Sequence, residues 1–166
     1  EGFATYQNGQ YINSIVAIEK MNRLLNEGRL SPKAIRAASV ALISLGLDYS
    51  KLNDLENAQL SYQKALNQLK QENDSADVLL CYVNMGYLFM KAQDLNSAIK
   101  VFETGMPWMD KEAAQYYAVP LYSSLAVANA KNGNIKHAAA YLEKAAAARK
   151  NSGTAMAENF YEQAKG

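Results

Sequence analysis

Apolar residues along this chain recur every three or four positions, and strand-like alternation is absent. That period predicts helices and no strands. Polar clusters break the pattern at Asn53-Asp54, Gln93-Asp94 and Asn132-Gly133-Asn134. The spacing predicts helices over 11–27, 32–52, 55–72, 75–92, 95–106, 111–132 and 135–150, with a last one after 154. Asp54, Asp94 and Asn134 are suited to cap the helices that follow them. Asp74-Ser75 and Asp110 are expected to start later helices in the same way. Pro32, after Ser31, fits a first helical position, where a missing N–H costs nothing. Pro120 is expected to kink the 111–132 helix, with Tyr116 and Tyr117 before it in the core.

The pattern also repeats. Small residues Gly46, Gly86 and Ala126 stand 40 positions apart. Four places before each lies Leu42, Tyr82 or Tyr122, and one place before lies Leu45, Met85 or Leu125. Twelve places after come Ala58, Ala98 and Ala138; sixteen after, Tyr62, Phe102 and Leu142; nineteen after, Ala65, Gly105 and Ala145. A fourth copy is expected upstream, with Gly2, the turn Asn8-Gly9-Gln10, then Ser14, Ile18 and Met21, and a fifth begins at Phe160, Gln163 and Ala164. Each copy reads as two helices held close by small residues, with an aromatic ring filling the space between. One such pair cannot bury its apolar face alone, so the expected fold is all-α, a right-handed α-solenoid of stacked antiparallel helix pairs. The expected organisation is one domain over 1–166: a partial repeat at 1–31, repeats at about 32–72, 73–110 and 111–150, and a partial or capping helix at 153–166. With Glu1 rather than Met first, and the pattern running into both ends, the chain is expected to be a piece of a longer array.

The sequence Leu42-x-x-Leu45-Gly46-x-x-Tyr49, then Ala58, Tyr62 and Ala65, resembles the tetratricopeptide repeat. Tyr82, Met85, Gly86, Phe89, Ala98 and Phe102 follow the same pattern, and the third copy follows it loosely, with Ala126 and Asn129. The period of 40 exceeds the family's usual one of about 34 residues. The closing proline is missing at Lys70 and Lys150, and Pro107 comes early. In this the repeats are more similar to those of bacterial sensors and regulators than to those of chaperone adaptors. The resemblance implies a scaffold that binds proteins. Family members that clamp a carboxylate tail place Lys, Asn, Asn, Lys and Arg where this chain has Ile43, Leu47, Asn84, Pro120 and Ser124. Only Asn84 agrees, so binding of chaperone tails is not expected.

On the first helix of each copy the repeat positions occupy one face, and the opposite face lines the expected concave surface. The contact residues expected there are Ile43, Ser44, Leu47, Ser50 and Lys51; Val83, Asn84, Tyr87, Met90 and Lys91; and Ser123, Ser124, Val127 and Lys131. Val40, Leu80, Pro120 and Ala130 share that face. Leu47, Val83, Tyr87, Met90 and Val127 form a partly apolar trough, and Asn84 offers both donor and acceptor to a peptide backbone. Lys51, Lys91 and Lys131 form a basic row, read either as an anion contact or as a solvated rim.

Composition narrows the function. The 166 residues carry a net charge of +1, with 49% apolar and 20% charged side chains. That is globular composition without the basic stripe of a nucleic-acid binder, so no direct nucleic-acid partner is expected. No apolar run is long enough to span a bilayer. The single cysteine, Cys81, excludes an internal disulfide and a multi-cysteine zinc site, and is expected to be a small buried hydrophobe. His137 is expected on the surface. Trp108, with Pro107 and Met109, is expected to pack over the end of a helix pair, or else to offer an accessory contact. No phosphate loop, nucleophile–base pair or isolated carboxylate pair is present, and no metal or cofactor is expected. The expected role is a non-catalytic scaffold for a peptide or protein segment. Alternatives are a ligand-sensing regulatory module of a larger bacterial protein and a self-associating structural module. The expected compartment is the cytoplasm, or the periplasm if a targeting segment has been removed.

Overall fold

A computed structural model describes residues 12–13, 15–21, 23–24, 27–28, 32–71, 74–109, 111–152, 161–162 and 164. The expectations resting on Gly2, Asn8–Gln10, Ser14, Ser31, Asp110, Phe160 and Gln163 lie outside these. The chain forms two compact units, Glu1–Asn73 and Asp74–Gly166. The division falls where one expected repeat gives way to the next.

The described residues hold no strand. Unit 1 contains helical residues within 12–24, then α1 (Pro32–Lys51) and α2 (Leu55–Leu69). Unit 2 contains α3 (Ser75–Lys91), α4 (Leu95–Gly105), a 3-10 turn (Met106–Trp108), α5 (Lys111–Lys131) and α6 (Ile135–Ser152). These bounds lie within three residues of those the sequence predicts. α1 packs on α2; α3 packs on α4 and α5, α4 on α5, and α5 on α6. The result is an all-α fold of tetratricopeptide-like helix pairs. Pro32 opens α1 as expected, and α5 runs through the buried Pro120 without a break.

Each pair is joined by the same turn. Asn53, Gln93 and Gly133 take left-handed backbone angles, with φ of 63°, 61° and 80°. The next residue's N–H then reaches back across the helix end: Asp54 to the Tyr49 carbonyl at 2.9 Å, Asp94 to Phe89 at 2.9 Å, and Asn134 to Asn129 at 2.8 Å. This is a Schellman closure, which satisfies carbonyls the helix leaves open. Asp54 and Asp94 then start the following helix, their carboxylates accepting the N–H of Asn57 and of Ser97, each at 3.1 Å. One residue therefore ends one helix and begins the next, so the pair cannot change register. Asp74 caps α3 in the same way, accepting from the Asp77 N–H at 3.2 Å.

The recurring positions form the core. Leu42, Leu45, Ala58, Tyr62, Ala65, Tyr82, Met85, Ala98 and Phe102 are buried. In unit 2 the core gathers Leu79, Val83, Ala98, Phe102, Ala113, Leu121 and Leu125, with Met106 and Met109 packed against it and Trp108 half-buried. A Cβ on Gly46 would lie 2.5 Å from Tyr62 Cε1, and a Cβ on Gly86 would overlap the Phe102 ring. Neither helix has room for a methyl group there. Cys81 is fully buried, and burial pushes its thiol pKa far up; His137 is exposed. Tyr116, expected in the core, is 59% exposed, and Tyr117 is half-buried. Ala118 and Val119, between Tyr117 and Pro120, are buried, so Tyr116 alone of the tyrosine pair faces outward.

Gly46→Ala tests the close approach. Alanine gains about 1 kcal/mol of helix propensity, whereas overpacking against a buried ring costs about 1–3 kcal/mol. Urea unfolding of Gly46→Ala is expected to show a net loss of stability. A net gain would mean that the helices separate freely.

Candidate functional site

The first helix of each repeat carries a stripe that the repeat positions leave over. On α1 it is Val40, Ser44, Leu47 and Lys51, spaced four, three and four residues apart and so on one face. All four are exposed, Val40 and Leu47 each by 40%. Ser50 beside them is half-buried. Two apolar side chains thus face water on a helix whose other side is core.

The matching stripe on α3 is Leu80, Asn84, Tyr87 and Lys91, with Met90 alongside. Lys91 is exposed and the other four are half-buried. The Tyr87 and Ser124 hydroxyls share a hydrogen bond at 2.9 Å, and Ser124 also donates to the Pro120 carbonyl at 2.7 Å. The Tyr87 ring meets Phe102 edge-on, with centroids 5.9 Å apart and planes at 79°. Burial pushes the Tyr87 pKa from 10.0 to about 12. The Asn84 Nδ2 atom is buried without a hydrogen-bond partner, a state that carries a desolvation cost. On α5, Val127 is half-buried, and Ala130 and Lys131 are exposed. Lys51, Lys91 and Lys131 each lie in the last turn of their helix, where the helix dipole favours a cation.

Four expected contact residues do not lie on an open face. Ile43, Val83, Ser123 and Ser124 are all buried. Ile43, Val83 and Ser123 occupy one repeat position, three places before the small residue, and Val83 belongs to the unit 2 core. In unit 2, α3 touches both its partner α4 and α5 of the next repeat, and α5 touches α3, α4 and α6. The buried arc of each is therefore wider than one face, and it takes in Val83, Ser123 and Ser124. Ser124 is spent on Tyr87.

Sequence reasoning missed the polar ties between successive pairs. In unit 1, Tyr49 donates to Glu19 at 2.7 Å. In unit 2, Tyr141 donates to Glu103 at 3.0 Å, and Asn132 to Asn96 at 2.9 Å. Tyr122 stacks on Tyr141 with centroids 6.4 Å apart, and the Lys144 ammonium sits 5.8 and 5.1 Å from the two rings. The partners are 30 to 38 residues apart, close to one repeat length, and that spacing is the one signal that points to them. Among the described residues no cluster of His, Cys, Asp and Glu is placed to hold a metal ion, and no helix is long and apolar enough to cross a membrane.

The family model "Soluble NSF attachment protein, SNAP" matches residues 1–116, and a tetratricopeptide repeat model matches 119–152. The chain belongs to the soluble NSF attachment protein family. The tetratricopeptide resemblance is borne out in the last full repeat, the copy that follows the pattern most loosely, while Leu42 to Ala65 lie within the attachment-protein match. Both are helical-repeat families of protein–protein interaction modules, generally non-catalytic. The chain is also similar to a solved structure, the crystal structure of BtubC (BKLC) from P. vanneervenii, at 15% identity and a TM-score of 0.67. The match covers 87% of this chain and 56% of that one, so this chain spans little more than half its length. At that identity the likeness is one of fold. No curated protein matches the chain.

The neutral phenol of Tyr87 is favoured in the fold, which fixes the sign of its pH dependence. Its contribution is complete below the pKa of about 10 of an unfolded tyrosine, and is lost as pH rises toward about 12. Tyr49 and Tyr141, also raised to about 12, act in the same direction. The thermal unfolding midpoint is expected to fall between these two pH values, and to fall less in Tyr87→Phe. An equal fall in the variant would show that Tyr87 ionises as freely as an exposed tyrosine.

Proposed function

We propose that the chain is a non-catalytic attachment module, and that each of its two units offers a protein segment the leftover stripe of its own first helices. The observation that carries this is the α1 stripe. Val40 and Leu47 are each 40% exposed on a helix whose repeat positions already supply its packing, so stacking gives no reason for apolar residues there. Exposed apolar stripes of this kind serve helix-in-groove and extended-segment recognition. On α3, in unit 2, the half-buried Asn84 side chain stands on the matching stripe beside Tyr87. Lys51 closes the α1 stripe with a charge.

The families support the class of activity: one is named for attachment to a partner protein, the other is a repeat. The proposal adds the surface. Within the stripes it rests on Ser44, Leu47, Ser50 and Lys51, on Asn84, Tyr87, Met90 and Lys91, and on Val127 and Lys131.

A peptide library displayed on phage and selected on the wild-type chain tests the surface. Peptides so obtained are expected to lose at least about tenfold in affinity, roughly 1.4 kcal/mol, for Leu47→Glu. The exposed site lets the variant keep its helical circular dichroism. Selected peptides that bind Leu47→Glu and Asn84→Ala as tightly as wild type would place the contact elsewhere.

A further inference from the structure

The three hairpin turns share one hydrogen-bond scheme but not one chemistry. The first two run Leu52-Asn53-Asp54 and Ala92-Gln93-Asp94; the third runs Asn132-Gly133-Asn134. Only here among the described turns does a glycine follow an asparagine. Glycine has no side chain to shield its peptide nitrogen, so that nitrogen can reach the preceding carboxamide carbon whenever the turn opens. Both residues are exposed to water.

The fold holds both reacting groups in place. The Gly133 N–H donates to the Ala130 carbonyl at 3.1 Å, and the Asn132 N–H to Ala128 at 3.0 Å. The Asn132 carboxamide donates to Asn96 Oδ1 at 2.9 Å. Asn132 also follows the last residue of α5, where the negative end of the helix dipole opposes a developing anion.

We propose that Asn132 is a site of spontaneous deamidation, held in check by the α5 cap and by Asn96, and that its conversion to isoaspartate undoes the third hairpin. Solvent base takes the Gly133 amide proton, and the nitrogen forms a bond to Asn132 Cγ. The Cγ–Nδ2 bond breaks, and that nitrogen leaves as ammonia. Water then opens the cyclic imide at either carbonyl. One opening gives aspartate; the other gives isoaspartate, with the main chain routed through Cβ and Cγ. Isoaspartate lengthens the backbone by one carbon inside a turn that the Asn134-to-Asn129 bond of 2.8 Å keeps at fixed length. It also removes the donor to Asn96 and leaves a carboxylate at the negative pole of α5. The rate of the reaction therefore reports opening of the α5–α6 turn.

Trypsin provides the assay, because Lys131 and Lys136 bracket the peptide 132–136. That peptide also contains Asn134, whose neighbour Ile135 shields its nitrogen with a branched side chain. The whole chain is held at mildly alkaline pH, folded or in urea, and the peptide is read by mass spectrometry. Acid is expected at 132 and not at 134, forming several-fold faster in urea than in the folded chain. In folded Asn96→Ala, which leaves the Asp94 cap intact, it is expected to form faster than in folded wild type. In Asn8→Gln, which removes the chain's other Asn-Gly pair, material labelled by an isoaspartate methyltransferase is expected to melt below the unmodified variant. No acid at 132 in urea would overturn the site. Equal folded and unfolded rates, or an unchanged rate in Asn96→Ala, would overturn the protection. Labelled chains that melt like unlabelled ones would overturn the structural consequence.

Discussion

The structure depends on how closely two helices can approach within a hairpin. Gly46 leaves Tyr62, and Gly86 leaves Phe102, lying where a methyl group would otherwise stand. That contact sets the distance between α1 and α2 and between α3 and α4, and the neighbouring alanines, Ala58, Ala65 and Ala98, are fully buried because of it. Interiors packed to crystal density do not adjust continuously, so the spacing is discrete. Once it is set, the turn must be short, and the double use of Asp54 and Asp94 as helix end and helix start is what makes a short turn feasible.

With the pair fixed, the side chains divide into three groups. Repeat positions fill the core. Polar ties about one repeat length apart join successive pairs: Tyr141 with Glu103, Asn132 with Asn96, and Tyr87 with Ser124. These have direction, where apolar contacts do not, so they hold one pair in register on the next. What remains is the stripe on the first helices, where the copies differ most: Val40 and Leu47 on α1 correspond to Leu80 and Tyr87 on α3. The partner surface proposed above lies there, apart from the packing of the scaffold.

Much of the scaffold was legible in the sequence, because the same physical demand was written three times. Gly46, Gly86 and Ala126 could be recognised as contact points only by their recurrence, and the caps at Asp54, Asp74 and Asp94 announced themselves by residue type. The candidate surface was less legible. Ile43 and Val83 are apolar at a position that a one-face reading assigns to the groove, and Ser123 is polar there, yet all three are buried. The width of a buried arc depends on how many helices touch it, and periodicity along one helix does not report that number. Tyr116 failed in the opposite sense: it sits next to the half-buried Tyr117 but projects outward. The polar ties were invisible for a related reason, since a tyrosine and a glutamate 38 residues apart pair only after the stacking is known.

The third copy has Ala126 and Leu142 where the others have glycine and an aromatic ring, which suggests that the two positions exchange volume. A double-mutant cycle on Gly86→Ala and Phe102→Leu, read by urea unfolding, tests this directly. If the glycine exists to admit the ring, each single change destabilises. The double variant then loses less than the sum, by a coupling of about 0.5–3 kcal/mol. Additive losses would show that the helix spacing is set elsewhere, and that the glycine–aromatic contact is a consequence of the fold and not its cause.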